Sequence, residues 1–467
     1  MTARNPLHDL TAVDLLAAFR SKSLSPLDVM RDVLAHVDEW EPHLRATYEL
    51  DADTALAQAK ASEARWLAGT PLGPLDGVPL TLKENIATHG VPTPLGSAAT
   101  QLVPATQDAP PAARLREAGA VCFSKTTMPD YGMLSSGLSS FHPLTRNPWD
   151  LRKNPGGSSA GAAAAAAAGY GPLHVGTDIG GSVRLPAGWC GVFALKPSLG
   201  RIPIHPPYAG RVAGPMTRTV GDAALLMATL SLPDVRDTMS LPYQTIAWQQ
   251  LDRDVRGLKL GLLMDAGWGD PVEPEVRAAV LAAARAFEAA GAIVEPMQPF
   301  MGRAMVDGMD DFWRQRSWLD ISAMSEARRA KVLPYIVEWA RGGAGLSGER
   351  VFRGYSQMGA MRDAAVAACR PYDFVLSPTS PMPAYAAELP APANDPARPF
   401  EHIAFTLPYN MSEQPAASIN AGYTADGLPI GLQIIGARFD DLGVLQLARA
   451  WEQMRPAQRA WPAPPTR

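Results

Sequence analysis

The chain has 467 residues and only three cysteines, Cys122, Cys190 and Cys369. No two of them form a CxxC pair, and the eight histidines are scattered. That excludes a disulfide framework and a zinc cluster, and it fits free thiols in a reducing compartment. HExxH is absent, which removes the common helix-borne zinc hydrolases, and the lack of GxxxxGK[ST] removes a P-loop. We therefore expect no metal and no cofactor. Neither sign of charge dominates: the formal net charge is −4 with both signs interspersed, so no nucleic-acid or anionic-membrane surface is expected. Long hydrophobic runs are missing too. The longest run of small apolar residues, Ala162 to Ala168, is too short to span a bilayer and is bounded by glycines. The stretch MTARNPLHDL at the N-terminus has no apolar leader segment. These absences point to a soluble cytoplasmic protein. No internal repeat is visible.

Apolar residues make up 47% of the chain, enough to fill a large core. Residues 9–68 predict helices: Leu15, Leu16 and Phe19, then Val29, Val33, Leu34 and Val37, recur near helical spacing, and Ser25-Pro26 reads as a helix start. A turn signal at Leu75 to Gly77 precedes an apolar strand that ends on Lys83. Residues 110–120 read as a helix and Ala120 to Lys125 as a buried strand, a β-α-β pattern that implies a parallel or mixed sheet. A loop-rich stretch over 126–155 and a proline-rich loop over 202–215 follow; a long loop inside a compact protein is often functional. Further strands are expected at 258–263, 292–295, 374–378 and 428–435, with helices from 220, over 274–290 and over 442–454. Residues 390–399 read as a surface linker. Residues 300–345 carry Met301, Met305, Met309, Phe312, Trp313, Trp318, Met324 and Trp339. Such a stripe is either the inner face of a helical layer or an apolar lid over a substrate pocket. No composition shift divides the chain, so one domain over 1–467 is expected: an N-terminal helical segment (1–70), a core (72–220) and the lid or pocket region (300–345).

Two glycine-serine clusters bracket an alanine-rich helix: Gly156-Gly157-Ser158-Ser159 and Gly180-Gly181-Ser182. Clustered glycines free the backbone to approach other groups, and serines held in such turns are aimed together with their neighbouring amides. The plainer reading is close packing of a helix against a sheet. Gly157-Ser158-Ser159-Ala160-Gly161 matches GxSxG, but a nucleophile elbow needs a buried strand before it. The preceding Asp150 to Pro155 is polar and broken by proline, so the elbow is set aside. Two serine turns and Lys83 remain. Those parts suffice for acyl transfer if burial keeps the lysine neutral.

Together, Pro74-Leu75-Asp76-Gly77-Val78-Pro79 leading to Lys83, then Gly156 to Ser159, then Gly176-Thr177-Asp178-Ile179-Gly180-Gly181-Ser182-Val183-Arg184 resemble the amidase signature family of serine hydrolases. Leu195-Lys196-Pro197, Gly214 to Arg218 and Leu428 to Gln433 look like later landmarks of it. The resemblance implies a large mixed, mostly parallel central sheet with helices on both faces. It implies a Ser-cisSer-Lys triad with Ser182 as nucleophile, Ser158 as bridge and Lys83 as base, and a cis bond before Ser158. It implies an oxyanion hole from the amides around Ile179, Gly180, Gly181 and Ser182. Gly132 and Met133, in a loop that faces the serines in relatives, become candidate substrate contacts. Where the family commonly has two glycines after the serine pair, this chain has Ala160-Gly161. The implied function is hydrolysis of a small-molecule amide or carbamate, with aryl esters as further candidates, by a stand-alone monomer or homodimer. The Trp/Met-rich segment favours apolar or aryl groups. Two alternatives are weighed. One is the glutaminase subunit of a tRNA amidotransferase, disfavoured by the short proline-rich 201–215 stretch. The other is an inactive scaffold, disfavoured because all three triad positions are intact.

Overall fold

A computed structural model describes residues 6–465. Residues 1–5, and with them half of the stretch judged to lack a leader, lie outside the described residues.

The strands are β1 (Thr47–Tyr48), β2 (Pro79–Lys83), β3 (Val121–Thr126), β4 (Leu173–Asp178), β5 (Phe193–Lys196), β6 (Val212–Thr217), β7 (Lys259–Leu262), β8 (Ile293–Pro296), β9 (Phe374–Pro378), β10 (Ala416–Tyr423) and β11 (Pro429–Gly436). They form one 11-stranded sheet in the order β1-β3-β2-β4-β6-β5-β10-β11-β9-β7-β8. The sheet is mixed, as expected, but the emphasis on parallel pairing is corrected. Only β3–β2, β2–β4, β9–β7 and β7–β8 are parallel. The central run from β4 to β9 is antiparallel throughout. The reason is β6 and β10: β6 begins inside the stretch read as a proline-rich loop, and β10 is rich in small residues.

The helices are α1 (Ala12–Arg20), α2 (Pro26–Leu44), α3 (Ala52–Ala68), α4 (Pro110–Glu117), α5 (Ala160–Ala168), α6 (Arg184–Cys190), α7 (Val220–Leu230), α8 (Pro274–Ala289), α9 (Arg303–Ser322), α10 (Glu326–Arg329), α11 (Pro334–Arg341), α12 (Gly348–Cys369), α13 (Leu407–Met411) and α14 (Asp441–Met454). The N-terminal helices start where the sequence places caps. Thr11, Ser25 and Asp51 accept amides of the first turns of α1, α2 and α3. Helix α5 is buried on every side, which suits a helix made only of alanine and glycine. Among the described residues no helix is long and apolar enough to cross a membrane.

Two features place the site. Strands β2 and β4 are parallel neighbours with Leu82 opposite Val175, so their C-terminal ends, Lys83 and Asp178, share one edge of the sheet. Ligands gather at such carboxyl edges in open α/β sheets. Helix α5 packs on β4 and β2, which brings its N-terminal Ser158-Ser159 to the same edge. The 300–345 segment divides between core and pocket. Val306 and Met309 enter a second apolar core with Leu185 and Ile403, while Trp313 and Trp339 face a pocket at this edge.

Candidate active site

Lys83 is the last residue of β2 and is wholly buried. Its Nζ lies 2.8 Å from Ser158 Oγ and 3.1 Å from Ser159 Oγ. Burial pulls the amine down from its usual 10.5 to about 7, against the opposing pull of Asp178 and Glu84 and with a small push from Arg211. A sizeable fraction is thus neutral near pH 7, as a base requires. Depression alone does not mark the site, since burial also brings Lys196 to about 7. What sets Lys83 apart is the serine pair in front of it.

That pair is held by its backbone. The Gly157–Ser158 bond is cis. A Cβ on Gly157 would fall 2.5 Å from Ser136 N, and Gly156 has φ +86 with Trp189 and Pro186 against it, so neither position tolerates a side chain. A Cβ on Gly161 would meet Ala46 O at 2.2 Å, whereas Ala160 sits fully buried in the first turn of α5. Position 160 therefore accepts alanine, while position 161 needs glycine.

Ser159 is a residue that the sequence reading passed over. Its hydroxyl donates to Thr177 O (3.1 Å) and accepts Thr177 N–H (3.2 Å) and a Lys83 N–H. With its single proton directed to a carbonyl, Ser159 can only accept from Lys83. It therefore turns the lysine's lone pair toward Ser158. The GxSxG match had pointed at Ser159 for a different role.

The turn after β4 carries the third candidate. Asp178 accepts Gly181 N–H at 2.8 Å, Val183 N–H at 3.1 Å, two bonds from Arg184 and one from Asn410. Burial alone would raise this carboxyl, but Arg184 and these donors hold it well below its usual range. Arg184 also reaches Thr406 O, Asn410 and Gln433, and Thr406 Oγ1 donates to Gly180 O at 2.7 Å. The late Gln433 landmark is thus a brace for this turn. One expectation is corrected here: the Gly181 amide is spent on Asp178, which takes it out of the oxyanion set. Among the described residues the amides of Ile179, Gly180 and Ser182 have no protein acceptor. Gly181 is still required, since φ is +127 and a Cβ would sit 2.5 Å from Thr406 Oγ1.

Ser182 opens into a pocket lined by Tyr131, Gly132, Met133, Ile179, Gly180, Trp313, Arg316, Tyr335, Trp339 and Phe400. Gly132 has φ +70, and a Cβ there would come 3.3 Å from Ser158 Oγ, so pocket and serine pair are contiguous. Ser158 and Ser182 are not hydrogen-bonded to each other, although Ser159 N–H donates to Ser182 O at 3.1 Å. The loop holding Gly132 is fixed by buried Asp130, which accepts Ser140 N–H and Oγ–H and the amide of Leu333 just before α11. Trp313 and Trp339 both meet Phe400 edge-on. Ala391 and Pro399 also line the pocket, so the 390–399 stretch walls the site and is not merely a surface linker. The free space is about 110 Å³, near the ~150 Å³ of an apolar cavity that admits benzene. Cys190 is buried and its thiol is pushed up by burial alone, which leaves it inert. Trp189 is a core aromatic whose Nε1 donates to Met382 O. No group of His, Cys, Asp and Glu among the described residues could hold a metal ion.

Residues 28–445 match the profile of the family described as Amidase. The chain belongs to the amidase signature family. An acylamidase of Rhodococcus erythropolis is 35% identical, with 98% of this chain and 97% of that protein aligned. A glutamyl-tRNA(Gln) amidotransferase subunit of Myxococcus xanthus is also 35% identical, over 96% and 97%. The crystal structure of a bacterial aryl acylamidase of the amidase signature family superposes with a TM-score of 0.89 at 30% identity, covering 97% of this chain and 98% of that one. The chain is an amide hydrolase of this family, and the relatives divide over the substrate.

Proposed function

We propose that this amidase is a stand-alone enzyme that hydrolyses amides of aryl or apolar groups through a Ser182 acyl-enzyme. The observation that carries the reading is a lysine held near neutrality, bonded to Ser158, beside an aromatic pocket into which Ser182 opens. Ser182 Oγ attacks the amide carbon and passes its proton to Ser158 as Ser158 passes its own to the Lys83 lone pair. Ser158 closes onto Ser182 in the substrate complex, where catalytic hydrogen bonds tighten. The oxyanion is received by the amides of Ile179, Gly180 and Ser182, fixed in advance by Asp178 and Thr406. The proton returns through Ser158 to the leaving nitrogen, the amine departs, and water releases the acid by the same relay. Carbamates and aryl esters present the same carbonyl chemistry.

Similarity to the amidotransferase protein supports a second reading, glutaminase activity. Glutamine is a zwitterion, however, and the residues lining the pocket include no Asp or Glu to receive its ammonium. The test is a panel of nitroanilides, primary amides, carbamates and glutamine with the purified chain. We expect anilide cleavage to exceed ammonia release from glutamine by orders of magnitude. The reverse order would favour the amidotransferase reading.

A further inference from the structure

Arg316 is the one charged residue lining the pocket, and it has no ion-pair partner among the described residues. Two other arginines near this site are paired: Arg184 with Asp178, and Arg314 with Asp310. Arg316 instead lies over the ring of Tyr208, 4.7 Å from its centroid. Arg211 stands beside them, its backbone amide bonded to Tyr208 O. Its guanidinium donates to the carbonyl of Pro206 and likewise meets no carboxylate at ion-pair distance. Burial, and then the neighbouring Arg316, hold Arg211 below its ordinary value. The carboxylate of Asp237, which acts on Arg211 electrostatically, already accepts the amides of Ile204 and Met239.

The neutral groups on this side lack partners as well. Trp313 precedes Arg316 by three residues, so the two share a face of α9. Its indole Nε1, a donor only, is buried without an acceptor. Across the pocket the phenol oxygen of Tyr131 is also buried and unpartnered. Buried polar groups are ordinarily satisfied, and each exception needs a reason. Arg316, exposed and without an ion pair, and the orphaned indole N–H of Trp313 lie on one wall, and both are served by the same thing: an acceptor that carries negative charge and arrives with the substrate.

We propose that the α9 wall binds a carboxylate on the substrate, so that the preferred substrates are aryl or apolar amides bearing a carboxylate at the end remote from the scissile bond. This rests on the amide-hydrolase reading above and narrows it. Arg316 supplies the charge in a fork suited to a carboxylate, and Trp313 adds a neutral donor. Arg316 is exposed to solvent, so water and salt screen the attraction. Glutamine would meet this wall with its carboxylate but leave its ammonium unpartnered.

The test uses two pairs of substrates matched in shape. One pair, 4′-nitroacetanilide and 4-acetamidobenzoate, places the charge on the amine side. The other, 4-methylpentananilide and N-phenylsuccinamate, places it on the acyl side. The readout is the ratio of kcat/KM for the anionic to the neutral member, which cancels leaving-group differences between enzymes. Arg316→Gln should lower this ratio about tenfold for at least one pair, and added salt should lower it for the wild type. Trp313→Phe keeps the ring, removes the N–H, and should lower the same ratio about threefold. A ratio unmoved by Arg316→Gln in both pairs, or wild-type cleavage confined to the neutral members, overturns the proposal and leaves amide hydrolysis standing. Failure to cleave any of the four overturns both.

Discussion

Replacing Lys83 by methionine should abolish activity and make the protein more stable, and the two effects have one cause. A wholly buried amine held down from 10.5 to about 7 must give up its proton to fold at neutral pH. At 1.36 kcal/mol per tenfold, that costs about 4 kcal/mol at pH 7. Methionine fills a similar volume with no charge to desolvate. Against this gain, Ser158 and Ser159 each lose a hydrogen bond, worth about 1 kcal/mol apiece. The net is a stabilisation of about 2 kcal/mol, or roughly 2 °C in Tm for a chain of this length. The pH dependence follows from linkage. Between about pH 7 and 10.5 the unfolded chain binds more protons at this position than the folded one, so wild-type stability rises with pH across that window. The penalty is fully present below 7, so the advantage of the variant should shrink as pH rises, vanish at about pH 9 where the remaining penalty equals the two lost hydrogen bonds, and reverse toward pH 10.5. Calorimetry of both proteins from pH 6 to 10 reads this directly. A variant less stable than wild type at pH 7, or an advantage that grows with pH, would show that Lys83 is a charged and well-paired residue.

Three further outcomes are expected. With Lys83 as base, kcat/KM should rise with pH through about 7 and level off above it; a profile flat from pH 5 to 9 contradicts a lysine base. Ser159→Ala removes the group that turns the Lys83 lone pair toward Ser158, so kcat should fall about tenfold with KM little changed. A loss confined to KM would assign Ser159 to substrate binding. Arg184→Met leaves Asp178 buried without its cation, and should cost about 3–5 kcal/mol in denaturant unfolding. A cost under 1 kcal/mol would mean that Asn410 and the turn amides hold that carboxylate unaided.

What could be read in advance, and what could not, divides by how local the signal was. Gly156-Gly157-Ser158 and Gly180-Gly181-Ser182 stand out because the backbone at Gly156, Gly157 and Gly181 has no room for a Cβ, and only glycine meets that need. The helices over 12–68 are legible because caps and apolar spacing agree. Strand β6 was hidden by Pro215, which pairs with Val175 inside the sheet, a position where proline argues against a strand. Strand β10, Ala416–Tyr423, has no run of large apolar residues to announce it. Helix α12 carries Gly354, whose missing side chain lets it rest on Gly308 O of α9. There the glycine marks a close helix contact and not a break. The division of labour within 300–345 depends on which side of α9 meets the core and which meets the pocket, and only the tertiary partners decide that. Ser159 escaped because its role depends on Thr177, 18 residues away.

The central claim is that Ser182 becomes acylated with Ser158 and Lys83 as its proton relay. Its most direct measurement is intact-protein and peptide mass spectrometry after treatment with a fluorophosphonate, in wild type and in Ser182→Ala, Ser158→Ala and Lys83→Met. We predict one adduct per chain on the peptide that contains Ser182, none in Ser182→Ala, and labelling slowed by at least about 10²-fold in the other two. An adduct on Ser158 or Ser159 instead, or full-rate labelling of Ser182 without Lys83, would contradict it.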